Sequence, residues 1–521
     1  MCTLRFKKVH PTVFVGVMVS LSEFYGNRTR ILIVLAVIYL LVRLAFLDFV
    51  PFMKDEGLYS VMIEEQVANP TLVMTFLGHE VGWKPPLFFW IYSQFVPFLR
   101  SMDFLSIEAV YRLPGTLFGL ANVLLVFFIF EKILKQRDEA FLTALIYTMV
   151  FLTINVDNRV LTDTLCGTAL FAGILFYLEG MEKREYFLLG GLLTFIAYFV
   201  KQTNAALVPI IAVGYLFEND RRKLRDPIFL VSLLAFPIAM FLFDLSISHI
   251  LNPELNSTNG MGAVSSYVIE RVILDNLNIS AITGSLIPFI LTTGVFFIAS
   301  FFGMLKNWQR SITLTVWYLL IIFALVGGIW MPWYFYPMAP AIAYFSLQLF
   351  IREKNGKKVK DFFFYFTLCI VIVGSFCLGF MNNLNYREGF TSEKLAGEFL
   401  AGKDNVLIIG QYAPSIPAYK ILEEKRATGS WKDFGWIITL DGNTEGITGF
   451  VKDYWINRSD VIDGSFKDMF WQKGIYRKDT NITTFDYIAI TGNETFNPGG
   501  NIVFNESGVQ IYQMLKQNVL K

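Results

Sequence analysis

The sequence is poor in several residue types that soluble and secreted proteins use for stability and catalysis. Only 17% of its 521 residues are charged and only three are histidine, whereas about a quarter of a typical soluble domain is charged. Its four cysteines are Cys2, Cys166, Cys369 and Cys377, and none lies in the polar C-terminal region. An intramolecular disulfide framework is therefore excluded there. No Cys-x-x-Cys or histidine-rich pattern indicates a metal site.

Apolar residues, in contrast, are abundant and are collected in blocks. Hydrophobic residues make up 54% of the chain and aromatic residues 16%, and the mean hydropathy is +0.50. The segments 31–50 and 361–381 each supply the roughly 20 apolar residues with which a helix crosses a bilayer core about 30 Å thick. A multi-pass membrane protein is predicted. The net charge of +1, with basic residues spread over many loops, gives no indication of nucleic-acid binding.

The distribution of lysine and arginine orients the predicted helices. Basic residues concentrate in the tail 1–30 and in every second loop from residue 131 onward, which makes these segments cytoplasmic under the positive-inside rule. Only two of the three apolar blocks between them can then cross, and the short block 86–99, which begins at a Pro-Pro pair, is expected to lie on or dip into the outer surface. The pattern predicts about 11 transmembrane helices, a cytoplasmic N-terminus and an external C-terminus. Six of the seven Asn-x-Ser/Thr triplets fall on the predicted outer side.

Three parts of the chain are distinguished by composition. Residues 1–30 are a cytoplasmic tail, residues 31–382 a transmembrane domain with an external loop at 51–112, and residues 383–521 a polar extracytoplasmic domain. In the last part VLIIG, WIITL and FDYIAIT are strand candidates, and helical stretches flank the first of them. The predicted fold class is a polytopic α-helical membrane protein with a C-terminal α/β domain.

Ionisable and aromatic residues gather beside the apolar blocks on the predicted outer side. An ionisable residue at a membrane is a functional hypothesis by default. Lysine and arginine suit a phosphate, a carboxylate suits deprotonation of a hydroxyl or amine, and an apolar groove suits a lipid tail. Together they suggest group transfer from a lipid-phosphate donor. The candidate residues are Asp55, Glu56, Tyr59, Lys84, Arg112, Asp163, Lys201 and Tyr334.

Two other functional classes remain open at this point. A secondary transporter also places charges in a helical bundle, but it favours midplane charges and inverted repeats. A non-catalytic cell-surface scaffold would use the C-terminal domain as a binding module and would not need the charged residues. Asp157 and Arg159 are interpreted as a structural ion pair, and His79 and His249 as hydrogen-bonded residues rather than metal ligands.

Six segments carry a resemblance to a known family. KDEGLYSVMIEEQ, GWKPPLFFWIYSQ, YRLPGTLFG, NRVLTDTLCGTALF, VKQTNAALVP and WYFYPMAPAIA occur in the order seen in C-type (GT-C) glycosyltransferases. They resemble the branch with the dolichyl-phosphate-mannose protein mannosyltransferases and the lipid A aminoarabinose transferases, over roughly residues 31–350. The resemblance implies a membrane enzyme that moves a sugar from a polyprenyl (dolichyl) phosphate to an extracytoplasmic acceptor with inversion. The sugar stays open, as does the acceptor, which could be a protein, a lipid-linked glycan or a lipid.

The resemblance also implies roles for the candidate residues. Asp55 matches the catalytic base and Glu56 the neighbour that helps to position the acceptor. The expected substrate-binding set, for the lipid phosphate and the sugar, is Lys84, Arg112, Asp163, Lys201, Tyr334 and Tyr59.

No cofactor is expected from this comparison. The sequence lacks an Asp-x-Asp pair, and lysine and arginine can neutralise a monophosphate, so a divalent metal is not predicted. The expected partners are the polyprenyl-phosphate sugar, the acceptor and the lipids of the cell membrane, without nucleic acid.

Overall fold

The computed structural model describes most of the helical part of the chain and several pieces of the C-terminal part. The predicted site residue Lys84 lies outside the described residues, as do His249 and most of the N-terminal tail. The described residues are 25–71, 75–76, 79–80, 85–201, 204–245, 289–290, 292–326, 332–354, 357–359, 362–404, 406–410, 415–429, 436–439, 486–491, 500–506 and 508–514.

Most of the described residues are helical. Short 3₁₀ segments at Arg221–Arg225, Trp308–Arg310 and Pro332–Met338 connect some of the α-helices. The α-helices are α1 (Arg28–Phe46), α2 (Lys54–Ala68), α3 (Leu87–Arg100), α4 (Ile107–Leu134), α5 (Arg137–Met149), α6 (Phe151–Asp157), α7 (Thr162–Glu179), α8 (Tyr186–Val200), α9 (Leu207–Asn219), α10 (Pro227–Leu233), α11 (Ala235–Leu245), α12 (Val295–Asn307), α13 (Ile312–Val326), α14 (Ala339–Phe350), α15 (Phe362–Leu400) and α16 (Ser415–Thr428).

Several of these helices suit a membrane. Among the described residues, α1, α4 and the Phe364–Leu400 part of α15 are long and apolar enough to cross a bilayer. Helices α5 and α6 pass the same test together but bend by 63° where they meet, so they form either a broken span or a re-entrant loop. The chain thus has the apolar helices of a membrane protein, while the total of about 11 crossings stays a prediction.

Helix α1 shows how these helices divide their surface. One face, with Leu35, Tyr39 and Arg43, is buried in the protein, whereas Val37 and Leu41 on the other face are 49% and 68% exposed. Exposure of apolar surface to water costs about 25 cal/mol of free energy per Å², and contact with lipid avoids that cost. The face of α1 that carries Arg43 therefore packs inward, and the aliphatic face suits the bilayer.

Helix α3 corresponds to the short apolar block at 86–99. Its 14 residues give a length of about 21 Å at 1.5 Å per residue, which is less than the bilayer core of about 30 Å. Its face with Phe88, Tyr92 and Val96 is buried, while Trp90 and Phe98 are exposed. That this block does not cross the membrane fully stays a prediction.

The C-terminal part contains a five-stranded sheet, whose strands in spatial order are β6 (Trp436–Thr439), β5 (Val406–Gly410), β7 (Tyr487–Thr491), β9 (Val509–Gln513) and β8 (Asn501–Glu506). Strand β5 pairs in parallel with β6 and β7, and β9 pairs antiparallel with β7 and β8. Strands β5, β6 and β7 coincide with the three predicted strand segments.

The predicted domain boundary at residue 383 falls inside α15, which runs on without a break for 39 residues. The strands are β1 (Thr75–Phe76), β2 (His79–Glu80), β3 (Arg352–Lys354), β4 (Lys357–Val359), β5 (Val406–Gly410), β6 (Trp436–Thr439), β7 (Tyr487–Thr491), β8 (Asn501–Glu506) and β9 (Val509–Gln513).

Helix α16 belongs to two cores at once. Its residue Ile416 packs with Val406 and Ile511 in the core of the sheet. Its residues Tyr419 and Leu422 pack instead in the large core of the helical part. The sheet is therefore joined to the helical part by a buried helix and not only by the chain connection through α15.

Candidate active site

The acidic pair Asp55-Glu56 stands in the first turn of α2. The side chain of Glu56 reaches back to the residue before the helix, where its Oε2 accepts a hydrogen bond from the Met53 N–H at 3.0 Å. Successive residues of a helix point about 100° apart, so the two carboxylates diverge. Glu56 is fully buried and Asp55 only partly so.

The Glu56 carboxylate is saturated by partners from three segments. Its Oε1 accepts from Arg112 Nε at 2.8 Å and from the Val160 N–H at 3.0 Å. Its Oε2 accepts from Arg112 Nη2 at 2.9 Å as well as from Met53. The bidentate bond to Arg112 is the strongest geometry available to this pair of groups. Glu56 therefore ties α2 to α4 and to the loop before α7.

The Arg112 guanidinium likewise uses all its hydrogen bonds within the protein. Its Nη1 donates to the carbonyl oxygens of Leu47 at 2.8 Å and Val50 at 2.7 Å. Its Nη2 also donates to the Pro51 carbonyl oxygen at 3.2 Å. Together with the two bonds to Glu56, these account for all five N–H donors of a guanidinium. Arg112 was predicted to bind the lipid phosphate, and such a role would require these bonds to break.

A second group of predicted residues gathers around Tyr59. Tyr59 lies one turn after Asp55 on α2, and burial raises the pKa of its hydroxyl well above the usual value, with further contributions from the charges of Asp55, Tyr334 and Asp163. Lys201 Nζ donates to Asp163 Oδ1 at 2.5 Å and lies 4.0 Å from the centre of the Tyr334 ring. Five predicted residues from four separate segments are thus brought together. We call Asp55, Tyr59, Asp163, Lys201 and Tyr334 the Asp55 cluster.

Arg159 lies between the two groups and was not in the predicted set. Its Nε donates to Asn155 Oδ1 at 2.7 Å, and its Cζ lies 5.6 Å from the Tyr386 ring. Its Nη1 is 3.9 Å from Glu56 Oε2, and among the described residues it has no hydrogen-bond partner. Burial lowers the pKa of the guanidinium to about 10, although the charges of Glu56 and Asp55 offset part of this effect. Arg159 is therefore a buried cation near the acidic pair, with one nitrogen that no described residue hydrogen-bonds.

The predicted ion pair between Asp157 and Arg159 is wrong. Asp157 pairs with Arg43, whose Nε and Nη2 lie 3.1 and 3.0 Å from its Oδ2. The Tyr336 hydroxyl donates to the other oxygen of Asp157 at 2.7 Å. The sequence does contain a sign of this pair: Arg43 lies in an otherwise apolar helix, and an arginine is buried there only with a partner. The sequence interpretation paired Asp157 with Arg159 instead, which is two positions away in the chain.

Gly119 of α4 lets this ion pair approach the helix closely. A Cβ atom at residue 119 would lie 2.6 Å from Asp157 Cγ and would overlap the Tyr39 hydroxyl. Since real Cβ atoms keep a longer distance, the Arg43–Asp157 pair and α4 fit together only around a glycine.

Metal-ligating residues are not collected in the described part of the chain. No group of three or more His, Cys, Asp or Glu side chains there could hold a metal ion.

The sequence of this chain matches one protein family. Residues 83–246 match the family model described as dolichyl-phosphate-mannose-protein mannosyltransferase. The matched segment includes Arg112, Asp163 and Lys201. A comparison with curated proteins found no match.

Solved structures show the same relationship at the level of the fold. ArnT from Cupriavidus metallidurans bound to undecaprenyl phosphate is similar with a TM-score of 0.60 and 12% identity, over 93% of this chain and 98% of that chain. Its apo state gives a TM-score of 0.54 with 12% identity over the same shares of the two chains, 93% and 98%. The oligosaccharyltransferase of Archaeoglobus fulgidus in complex with Zn and sulfate gives 0.52 and 11%, over 88% of this chain and 68% of that chain.

These similarities agree with the order of motifs read along the chain. The segment matched by the family model covers four of the six motifs wholly or in part, and the structural matches extend over almost the whole chain. The resemblance of this chain to the GT-C glycosyltransferases is therefore confirmed, both by the family match of residues 83–246 and by the fold.

Proposed function

We propose that this protein is a glycosyltransferase of the cell membrane that moves a sugar from a polyprenyl or dolichyl phosphate to an extracytoplasmic acceptor. The observation that carries the proposal is the contrast between the two acids of α2. Glu56 is saturated by Arg112 and two backbone N–H groups, whereas the charge of the partly buried Asp55 acts on Tyr59 and Arg159. The family match over residues 83–246 gives this arrangement its chemical context.

Asp55 acts as the general base in the proposed reaction. Its carboxylate takes the proton from the acceptor hydroxyl or amine while that atom attacks the anomeric carbon of the sugar. The bond between the anomeric carbon and the phosphate oxygen breaks, its electron pair leaves with the polyprenyl phosphate, and the anomeric configuration is inverted. The products are the glycosylated acceptor, the free lipid phosphate and a proton on Asp55.

The cations of the site stabilise the departing phosphate. Negative charge grows on the bridging oxygen in the transition state, and a donor aimed at that oxygen is worth most there. Arg159 Nη1 has no hydrogen-bond partner within the described part of the chain, and we assign Arg159 this role together with Lys84. The fully bonded Arg112 holds the acidic turn in place, and the Lys201–Asp163 pair holds the Tyr334 ring.

The proposal is tested by sugar transfer with the full-length protein in lipid nanodiscs. Donors are radiolabelled dolichyl-phosphate and undecaprenyl-phosphate sugars, and the acceptor is a membrane extract from a strain that lacks the gene. Asp55→Asn is expected to slow transfer by roughly 10²- to 10⁴-fold, the usual contribution of a general base. The matched control is Asp103→Asn, at an exposed acid near the end of α3, which should transfer at the wild-type rate.

Two results would count against the proposal. Wild-type transfer by Asp55→Asn would remove the base assignment. Flux of a lipid-linked sugar across a proteoliposome membrane, without covalent transfer from any donor, would identify a transporter instead.

A further inference from the structure

The C-terminal part of the chain contacts the acidic turn through one tyrosine of α16. Tyr419 is fully buried. Its hydroxyl accepts a hydrogen bond from the Phe52 N–H at 2.7 Å and donates one to Glu108 Oε1 at 2.8 Å. Phe52 lies just before α2, where backbone N–H groups have no partner inside a helix. The hydroxyl of Tyr419 thus satisfies a buried N–H group only three residues from Asp55.

The aromatic rings extend this contact to the arginine behind the acidic pair. The Phe52 ring stacks on the Tyr419 ring with centroids 5.2 Å apart, and Arg112 Cζ lies 5.4 Å from the Phe52 ring centre. Arg112 in turn binds the Glu56 carboxylate and three carbonyl groups, those of Leu47, Val50 and Pro51. A continuous series of contacts therefore runs from α16 through Phe52 and Arg112 to the first turn of α2.

Two further contacts hold the same elements together. Glu108 lies one turn before Arg112 on α4, and its Oε1 also accepts from Lys394 Nζ of α15 at 2.7 Å. Near the other end of α2, Lys425 Nζ of α16 lies 3.6 Å from Glu64 Oε2. The C-terminal part thus contacts α2 or its immediate support near both ends of the helix.

We propose that Tyr419 is a positioning residue that fixes the turn before α2 and, through it, the direction of the Asp55 side chain. The inference rests on the proposed function, because it concerns the base of that reaction. Without the hydroxyl, the Phe52 N–H would be buried without a partner, and the turn at 47–53 would shift to find one. A displacement of about 1 Å at a reacting group can cost about 100-fold in rate. The C-terminal part is then a support of the active site and not only an appended domain.

The variant Tyr419→Phe tests this inference, because it keeps the ring stack and removes only the hydroxyl. The matched control is Tyr512→Phe, since the Tyr512 hydroxyl bonds to Gln510 Oε1 at 2.9 Å within its own strand. Both full-length variants are compared with wild type in nanodiscs. The measurements are kcat and donor KM for sugar transfer, and amide hydrogen exchange over the peptide 47–60.

For Tyr419→Phe we expect kcat to be about tenfold lower than in wild type, which is part of the loss that a displacement of about 1 Å would cause. The donor KM should stay within about twofold of the wild-type value. Exchange should be faster over 47–60 and unchanged over α9 and α14. The control should show neither effect. Asp55→Asn in the same assay should lower kcat without altering exchange at 47–60.

The other outcomes contradict either the role of Tyr419 or the proposed function. An unchanged kcat, a change in donor KM alone, or faster exchange over the whole protein would show that Tyr419 does not position the base. Failure of the wild-type protein to transfer sugar from any donor would overturn the proposed function. Exchange at 47–60 would then still decide whether the hydroxyl holds the turn.

Discussion

Two adjacent acids at the start of α2 have opposite surroundings. Glu56, Arg112 and the carbonyl groups of Leu47, Val50 and Pro51 form what we call the closed network, in which every donor of the arginine is used. The Asp55 cluster lies near Arg159, whose Nη1 lacks a hydrogen-bond partner among the residues that the structure describes. A site needs both, because a base can act only where its backbone is held in one position.

The closed network contributes geometry more than net stability. Removing two charges from water costs several kcal/mol each, and their attraction repays that cost only with good geometry and further hydrogen bonds. The network around Glu56 has good geometry and further hydrogen bonds. Loss of one partner therefore destabilises the protein far more than the intact pair stabilises it. This asymmetry gives the residues of the closed network a structural role, distinct from the catalytic role proposed for Asp55.

Breaking the closed network should give the largest effect. Arg112→Gln leaves the Glu56 carboxylate buried without its cation, which we expect to lower the free energy of unfolding by about 3–5 kcal/mol. Denaturant titration of the purified protein in detergent measures this change. The control is Arg137→Gln, which removes a partly exposed pair with Glu131 and should cost less than about 1 kcal/mol.

The opposite pattern would reverse the assignment of Arg112. A variant with wild-type stability and a greatly raised donor KM would show that Arg112 binds the lipid phosphate, as the family resemblance implied.

Removing the Arg159 guanidinium should give a smaller effect of a different kind. Arg159→Gln is expected to weaken binding of the product polyprenyl phosphate about 10- to 100-fold and to lower kcat by a similar factor, since a hydrogen bond to a charged group contributes about 1.5–3 kcal/mol. Its stability should stay equal to wild type or rise, because the variant removes a buried cation that lacks full compensation. Binding of polyprenyl phosphate to nanodisc-embedded protein measures the first quantity, and thermal unfolding measures the second.

The matched control for this variant is Arg387→Gln, which removes an exposed arginine near Phe49. Equal affinity of Arg159→Gln and wild type for the lipid phosphate would remove Arg159 from the phosphate site.

The smallest effect is expected inside the Asp55 cluster itself. Tyr59→Phe removes a hydroxyl whose pKa is raised by burial and by the charge of Asp55, so the wild-type group stays protonated throughout the neutral and moderately alkaline range. It can act as a hydrogen-bond partner but not as a base. We expect kcat to fall by roughly three- to tenfold, the value of one hydrogen bond of about 1 kcal/mol, and by the same factor at every pH from about 6 to 9. A loss that grows with pH would contradict this role.

The sequence was informative where a single residue or a short segment carries the information. Long apolar runs predicted helices such as α1 and α15, and the carboxylates beside them made α2 the helix with the candidate acids. The strand VLIIG was recognisable as β5 because it is short, apolar and flanked by helices.

Pairings across the chain could not be predicted in the same way. Arg43 and Asp157 are separated by 114 positions and Phe52 and Tyr419 by 367, and no local pattern indicates such partners. Arg112 stands next to a membrane boundary, where arginine suits a phosphate equally well, and only the folded turn at 47–51 shows where its donors point.

The uninterrupted helix α15 limits which insertions and deletions the chain can accept between its helical part and its C-terminal part. At 1.5 Å per residue its 39 residues measure about 58 Å, nearly twice the thickness of a bilayer core. One residue inserted into a helix moves every later residue by about 1.5 Å along the axis and turns it by about 100°. The length of α15 therefore sets the height and the angular phase at which α16 meets α2. An insertion or deletion in α15, unlike one in a surface loop, would rotate Tyr419 away from Phe52.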